Sequence, residues 1–83
     1  MYKLVVERHA LKQLAKVSPS DIPAIKEAIA SLASNPRPSG YIKLKGTEAY
    51  RIRTGDYRII YEIFDKVLVV EVIAIGHRKD IYE

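Results

Sequence analysis

The stretch YRIRTGDYRIIY, residues 50–61, decides the predicted fold because it contains two strands and the turn that joins them. At its centre, Thr54-Gly55-Asp56 predicts a compact hairpin turn, since glycine accepts a positive φ at no steric cost. On both sides of the turn, apolar or aromatic residues alternate with charged ones, a pattern typical of strands that bury one face. We therefore predict two antiparallel strands, residues 49–53 and 57–64.

Three further strands are predicted around this hairpin. Residues 41–45 precede it and end at Gly46. After the turn at Asp65-Lys66, residues 67–75 form a nearly continuous apolar run, which indicates a strand near the middle of the sheet that is covered on both faces. Residues 2–6 alternate and predict an N-terminal strand.

Two helices are predicted between the first and second strands. Residues 7–17 place their apolar side chains on one helical face. Ser18 is predicted to cap the second helix, with Pro19 at its first position and Asp21 completing a capping box. Asn35-Pro36 ends this helix. Its apolar side chains recur at spacings of three and four and predict core packing: Ile22, Ile25, Ile29 and Leu32.

The order β-α-α-β-β-β-β predicts an α+β fold. A two-helix hairpin packs on one face of a mostly antiparallel, twisted sheet of four to five strands, and the other face is left open for function. The 83 residues, 48% of them hydrophobic, predict a single domain over residues 1–83 with one small core.

Composition excludes several classes of protein. The chain has no cysteine, which rules out disulfides, zinc fingers and thiol chemistry and fits a reducing cytosol. The N-terminus lacks the pattern of a signal peptide. The apolar stretch at residues 67–75 is far shorter than the roughly 20 residues of a transmembrane helix. We expect a soluble, cytoplasmic protein without membrane contact.

Arginines concentrate in the strand-rich second half. The chain carries 14 Lys and Arg against 10 Asp and Glu, a net charge of +4. Four of its six arginines lie within the last 33 residues: Arg51, Arg53, Arg58 and Arg78. Because side chains alternate along a strand, Arg58 is predicted to lie on the open sheet face beside Arg51 and Arg53.

This concentration predicts a site for a phosphate backbone, with RNA as the favoured ligand. Three guanidinium groups on one face repel one another, and a bound polyanion relieves that repulsion because the planar arginine fork fits phosphate oxygens. The C-terminal segment strengthens the prediction, since His77 and Tyr82 add an imidazole and an aromatic hydroxyl. A solvated face remains the alternative, with carboxylate partners in Glu48, Asp56 or Glu62.

Four segments carry a family resemblance: NP at 35–36, KLKG at 43–46, YRIRTGDYRIIY at 50–61 and IGHRKDIY at 75–82. Together they resemble the RelE-type toxins of bacterial and archaeal toxin–antitoxin pairs, within the RelE/ParE superfamily. The resemblance runs through essentially the whole chain. Its specific parts are the hairpin and the final segment, whereas the helical half is generic.

The resemblance implies a toxin that acts as a metal-independent endoribonuclease, without cofactor, and cleaves messenger RNA in the ribosomal A site. The 2′-hydroxyl of one nucleotide attacks the adjacent phosphate, and cationic groups stabilise the developing charge. It also implies a cognate antitoxin protein as partner, besides the ribosome and messenger RNA. Such antitoxins are typically partly disordered until they bind, and acidic side chains could neutralise the basic site.

Residue roles follow from the same resemblance. Arg51 and Arg53 match a basic pair on the third strand, Arg58 and Arg78 are expected to clamp the scissile phosphate, and Tyr82 to stack on a base. The residues expected to contact RNA are Lys43, Lys45, Arg51, Arg53, Arg58, Arg78 and Lys79.

The third-strand pair departs from members that carry lysine there. Arginine is a poor base because its pKa lies above about 12. Imidazole ordinarily titrates near pH 6.5, at about neutrality. We therefore predict that His77 takes part in proton transfer.

Two other functions stay open. A ParE-type toxin of the same superfamily blocks DNA gyrase and cleaves no RNA, but such an inhibitor needs no phosphate clamp with a terminal tyrosine. A degenerate member would act as a binding or repressor module without activity.

Overall fold

The computed structural model describes residues 1–77, so the predicted site positions Arg78, Lys79 and Tyr82 lie outside the described residues. Two helices and five strands make up the described chain. In chain order they are β1 Lys3–Val6, α1 Arg8–Leu14, α2 Ile22–Ser31, β2 Ile42–Lys43, β3 Ala49–Thr54, β4 Tyr57–Phe64 and β5 Val69–His77. The predicted order of elements and the α+β class are confirmed.

The five strands form one mixed sheet in the order β1-β5-β4-β3-β2. β1 runs parallel to β5, while the other three pairs are antiparallel. β5 lies between β1 and β4, as its apolar sequence predicted. A register shift opposite Ile60 and Tyr61 places one extra β5 residue in that pair, which is a β-bulge.

Both helices cover one face of the sheet, and the main core lies between them and the strands. Tyr61 is fully buried in it, and its hydroxyl donates a hydrogen bond to the carbonyl of Pro36 at 2.7 Å. Burial raises the pKa of Tyr61 to about 12, so the hydroxyl stays protonated and remains a donor. The fully enclosed core residues are Ala10, Ile25, Leu32, Ile59, Tyr61, Val70, Val72 and Ile75.

The predicted start of the second helix is wrong. α2 begins at Ile22, and no side chain caps it. The amide of Asp21 instead donates to the carbonyl of Ser18 at 2.9 Å, so the residues predicted as the first turn form a separate tight turn. Pro23, rather than Pro19, lies in the first turn of the helix, where a missing amide hydrogen costs nothing.

Strand ends also differ from prediction. β5 begins at Val69 because residues 65–68 form a longer turn, with Leu68 at a φ of 54°. β2 has only two residues, and the first helix ends at Leu14 rather than residue 17. Across residues 1–77, neither helix has the length and apolar character to cross a membrane.

Candidate functional site

The β3–β4 hairpin brings the predicted arginines to the open face of the sheet. Arg53 lies directly opposite Arg58, and Arg51 lies opposite Ile60. Directly opposed residues of an antiparallel pair project from the same face, with Cβ atoms about 4.5–5.5 Å apart. Gly55, at a φ of 59°, allows the tight turn that sets this register. The structure therefore brings Arg51, Arg53 and Arg58 together as predicted.

The three arginines differ in exposure, which the sequence did not indicate. Arg53 is exposed and Arg58 is half-buried, but Arg51 retains only 5% of its surface. Arg51 is enclosed because Ile42 of β2 and Ile60 of β4 flank it in register. The Nε atoms of Arg51 and Arg58 are buried. Of these three arginines, Arg53 and Arg58 are thus the accessible ones, whereas Arg51 lies buried beneath the surface of the open face.

His77 lies at the same end of the sheet but on the helix-bearing face. It pairs with Tyr57, whereas Arg58 pairs with Gly76, so the side chains of His77 and Arg58 leave opposite faces. The ring of His77 meets that of Tyr57 edge-on, with centroids 5.5 Å apart. A cavity of about 280 Å³ beside it is also lined by Gln13 and Lys16 of α1 and its C-terminal turn.

Gln13 fixes the wall of this cavity. Its side-chain oxygen accepts a hydrogen bond from the amide of Ile75 at 2.7 Å. β1 pairs with β5 only as far as Val72. Beyond that point, the Gln13 side chain takes the place of β1 and accepts the hydrogen bond from the β5 backbone. The cavity by His77 is therefore built from α1 and β5 rather than from the open face.

One of the two predicted lysines of the described chain lies on the other face of the sheet from the arginines. Lys43 pairs with Tyr50 on β3, so it leaves the sheet on the helix-bearing side. Lys45 is exposed in the turn after β2. The register thus separates Lys43 from the arginines of the open face.

A second cavity, here called the edge pocket, lies where β2 ends and β3 becomes the margin of the sheet. It has a volume of about 520 Å³ and lies between α2, the loop at residues 38–40 and β3. Its apolar lining includes Ala28, Pro38, Ile42 and Ile52, and both Arg51 and Arg53 reach it. The sequence did not reveal this pocket, because it depends on how far β2 extends.

Three hydrogen-bonded side chains anchor the loop that walls the edge pocket. Arg37 donates to both carboxylate oxygens of Asp65, at 3.3 and 2.8 Å, and the hydroxyl of Tyr2 donates to Asp65 at 2.5 Å. The hydrogen bond from Arg37, followed by that from Tyr2, lowers the pKa of Asp65 below its ordinary value. The same contact with Asp65 raises the pKa of Tyr2.

The open face can therefore hold a phosphate between two cations without a metal ligand set. Arg53 and Arg58 present fork-shaped donors from neighbouring strands, a geometry that suits two oxygens of one phosphate. Among residues 1–77 there is no group of three or more His, Asp or Glu side chains that could bind a metal ion.

Comparison with known proteins gives a consistent result. Residues 4–82 match the sequence model of the ParE toxin of type II toxin–antitoxin systems, parDE. The mRNA interferase toxin RelE of Escherichia coli K12 is 31% identical over 81 residues, covering 94% of this chain and 84% of that protein. The putative toxin RelE1 of Methanocaldococcus jannaschii is 30% identical over 79 residues, with 88% of each chain covered.

Solved structures agree with these sequence matches. RelE in the intact E. coli RelBE toxin–antitoxin complex superposes with a TM-score of 0.80 at 29% identity, covering 93% of this chain and 96% of that one. The archaeal RelE–RelB complex from Pyrococcus horikoshii OT3 gives a TM-score of 0.82 at 28% identity, with 96% and 98% coverage.

Proposed function

The chain belongs to the family of ParE toxins of type II toxin–antitoxin systems, and its similarity to RelE proteins of the same superfamily is the basis on which we propose that it is a RelE-type toxin that cleaves messenger RNA on the ribosome. The observation that carries this proposal is the register of the β3–β4 hairpin, which opposes Arg53 and Arg58 on the open sheet face. The similarity to the E. coli mRNA interferase supports it at 31% identity.

The proposed reaction needs positioning and charge stabilisation. The 2′-oxygen of a ribose forms a bond to the adjacent phosphorus as the bond from phosphorus to the 5′-oxygen of the next nucleotide breaks. One proton leaves the 2′-hydroxyl and one reaches the departing 5′-oxygen, so the products are a cyclic phosphate and a free 5′-hydroxyl. The extra negative charge on the phosphate in the transition state favours preorganised cationic donors.

The arginines take different parts in this step. Arg53 and Arg58 are placed to grip the non-bridging oxygens of the scissile phosphate, with Arg78 as a further clamp. Arg51 is too enclosed for a full fork contact, so it acts as a buried charge that strengthens the field at the phosphate. Tyr82 stacks on a neighbouring base, as aromatic residues do for unstacked RNA.

His77 transfers a proton at the end of the sheet. It projects from the helix-bearing face, one residue beyond the partner of Arg58. Lys43, Lys45 and Lys79 bind flanking phosphates rather than the reacting one.

The proposed partner is an antitoxin protein encoded with the toxin. Several similar structures are toxin–antitoxin complexes of the RelE–RelB type. An antitoxin with acidic side chains would neutralise the arginine cluster in the resting cell. The chain acts in the cytoplasm, where ribosomes are found, and residues 1–83 work as one domain.

Primer extension on a message incubated with purified chain, with and without ribosomes, tests the proposal. We expect cuts at codon positions that appear only with ribosomes present. The gyrase-inhibitor alternative is disfavoured because two of the similar proteins are named mRNA interferases. Intact RNA in both reactions, together with stabilised gyrase–DNA cleavage complexes, would reject the proposed function in favour of that alternative.

A further inference from the structure

We propose that the exposed side of α1 is a second RNA-binding surface, which docks on ribosomal RNA while the open face of the sheet holds the message. This surface, here called the α1 stripe, consists of Arg8, Lys12 and Lys16. The inference rests on the proposed function and deepens it, because it names the part of the toxin that binds the ribosome.

The three cations of the α1 stripe lie in one row. They are four residues apart, and residues at that spacing are neighbours on one side of a helix. α1 ends at Leu14, but the amide of Lys16 donates to the carbonyl of Gln13 at 3.0 Å, so the chain continues to turn as far as Lys16. All three side chains are exposed. The row is therefore open to a partner along its whole length.

No carboxylate of the described chain neutralises the α1 stripe. Residues 1–20 contain four Lys or Arg and a single acidic residue, Glu7. Within residues 1–77, none of the three cations of the stripe forms an ion pair. Lys16 also lines the cavity beside His77, and none of the described residues around that cavity is acidic. The positive charge of the stripe is thus not balanced within the part of the chain that the structure describes.

The α1 stripe does not stabilise the helix that carries it. Like charges four residues apart repel, and Lys12 lies at that distance from both Arg8 and Lys16. The helix dipole favours an acid in the first turn and a cation in the last. Lys12 is in the last turn, but Arg8 is the first residue of α1, and the first turn has no acid. This arrangement favours a role in binding an anion over a role in stability.

The composition of this surface favours nucleic acid over protein as the partner. Protein interfaces are depleted of lysine and are built around apolar and aromatic side chains, whereas nucleic-acid interfaces are strongly positive. Within Arg8–Leu14, Leu11 is the one exposed large apolar side chain, at 52%. A phosphate backbone repeats its negative charge along a line, as the stripe repeats its positive charge. We therefore infer that the stripe binds the backbone of an RNA.

The α1 stripe lies on the side of the molecule away from the message. α1 packs against β5 on the helix-bearing face, whereas Arg53 and Arg58 lie on the open face. The sheet and the helix, which is itself about 10 Å across, separate the two surfaces. A message strand held at Arg53 and Arg58 therefore does not reach the stripe by continuing along the open face. The partner of the stripe is a second RNA, and on the ribosome that is ribosomal RNA.

Sedimentation with salt-washed ribosomes that carry no message tests this binding. The test variant is Lys12→Gln/Lys16→Gln, and Lys26→Gln/Lys66→Gln is the matched control because it removes the same charge from exposed positions elsewhere. Each lost phosphate contact should make the plot of log affinity against log salt shallower by about one unit. We expect a loss of about two units for the test variant, with an affinity roughly 10–100-fold lower at about 0.1 M salt. The control should bind nearly as tightly as the wild type.

Arg8→Glu separates binding from folding. The new acid lies in the first turn and four residues before Lys12, and both placements stabilise a helix. We expect a melting temperature equal to or above that of the wild type, together with weaker binding to ribosomes. A loss of both stability and affinity would assign Arg8 to the fold and remove it from the proposed surface.

Three results would overturn the inference. One is a wild-type affinity and salt dependence for Lys12→Gln/Lys16→Gln. Another is an equal loss in Lys26→Gln/Lys66→Gln, which would show that net charge alone controls binding. The third is a loss confined to a short unstructured RNA or to the antitoxin, which would make the message or the antitoxin the occupant of the stripe.

Cleavage of messages by the same chains separates this inference from the proposed function. If the wild type cuts no message but binds ribosomes, and Lys12→Gln/Lys16→Gln does not bind them, the surface stands and the nuclease function fails. If messages are cut on ribosomes while binding does not depend on the stripe, the nuclease function stands and the surface is rejected.

Discussion

The two faces of the sheet are made by the same strands but serve different purposes. On the helix-bearing face, alternate residues of β3, β4 and β5 pack under the helices, and Ile59, Tyr61 and Val72 are completely buried. On the open face, the intervening positions hold the arginines and a small apolar cluster: Leu44, Ala49 and Ile60. One face therefore stabilises the fold, and the other carries the arginines.

This division rests on the period of two along a strand. Ile59 and Arg58 are neighbours in the chain, yet they project from opposite faces. Substitution of the two residues should therefore affect different properties, and a pair of adjacent variants can separate stability from activity. Two further variants, at His77 and at Asp65, test whether residues outside the open face contribute to activity or stability.

The largest expected effect is on stability, from Ile59→Ala on the helix-bearing face. The side chain is fully enclosed, so its truncation leaves a cavity and should lower the free energy of unfolding by about 2–5 kcal/mol. Urea denaturation measures the change. Ile60→Ala, in the small cluster of the open face, is the matched control and should cost less. Equal losses would show that the two faces contribute equally to stability.

The second effect is on activity, from Arg58→Ala on the open face. Loss of one cationic donor at the phosphate should reduce the cleavage rate by about 10²–10³-fold. The variant should unfold at nearly the wild-type urea concentration, because this side chain lies outside the main core. Lys66→Ala removes a cation from an exposed turn and serves as the control for charge. Wild-type cleavage by Arg58→Ala would exclude Arg58 from the phosphate site.

The sequence predicted this division because alternation along a strand is a local property. The hairpin and the shared face of Arg51, Arg53 and Arg58 follow from residues close in the chain. The burial of Arg51 could not be predicted in the same way, since it depends on the register with β2. The edge pocket was missed because its lining comes from segments far apart in the chain, namely α2, the loop at residues 38–40 and β3.

The helix start and the position of His77 have a different physical origin. Ser18 and Pro19 have the composition of a helix start, but Pro23 satisfies the same geometric condition four residues later, and α2 begins beside it. The sequence did not indicate the face from which His77 projects. The β-bulge opposite Ile60 and Tyr61 shifts the register of β5, and His77 then pairs with Tyr57. Its predicted role in proton transfer stays a prediction.

The third effect tests whether the helix-bearing face takes part in chemistry. His77→Gln should reduce the cleavage rate by about 10²-fold, since a proton-transfer group is lost while an amide of similar size remains. The dependence of the cleavage rate on pH should differ in shape between wild type and variant, because a group that transfers a proton has been removed. Tyr57→Phe keeps the ring contact and should preserve the wild-type profile. A wild-type rate and profile for His77→Gln would confine catalysis to the open face.

The smallest effect concerns the anchor between Asp65, Arg37 and Tyr2. Asp65→Asn should lower the melting temperature slightly at neutral pH, because this bridge is solvent-exposed and exposed ion pairs contribute little.

The pKa of Asp65 is lowered by its partners, so the folded chain binds its proton less readily than the unfolded chain does. The stabilisation is complete above the ordinary pKa of 3.8 and is lost as pH falls through the lower folded value. The melting temperatures of wild type and variant should therefore converge only in strong acid, with Glu48→Gln as the control for loss of an exposed carboxylate. A difference that persists unchanged in strong acid would show that the anchor acts through packing rather than charge.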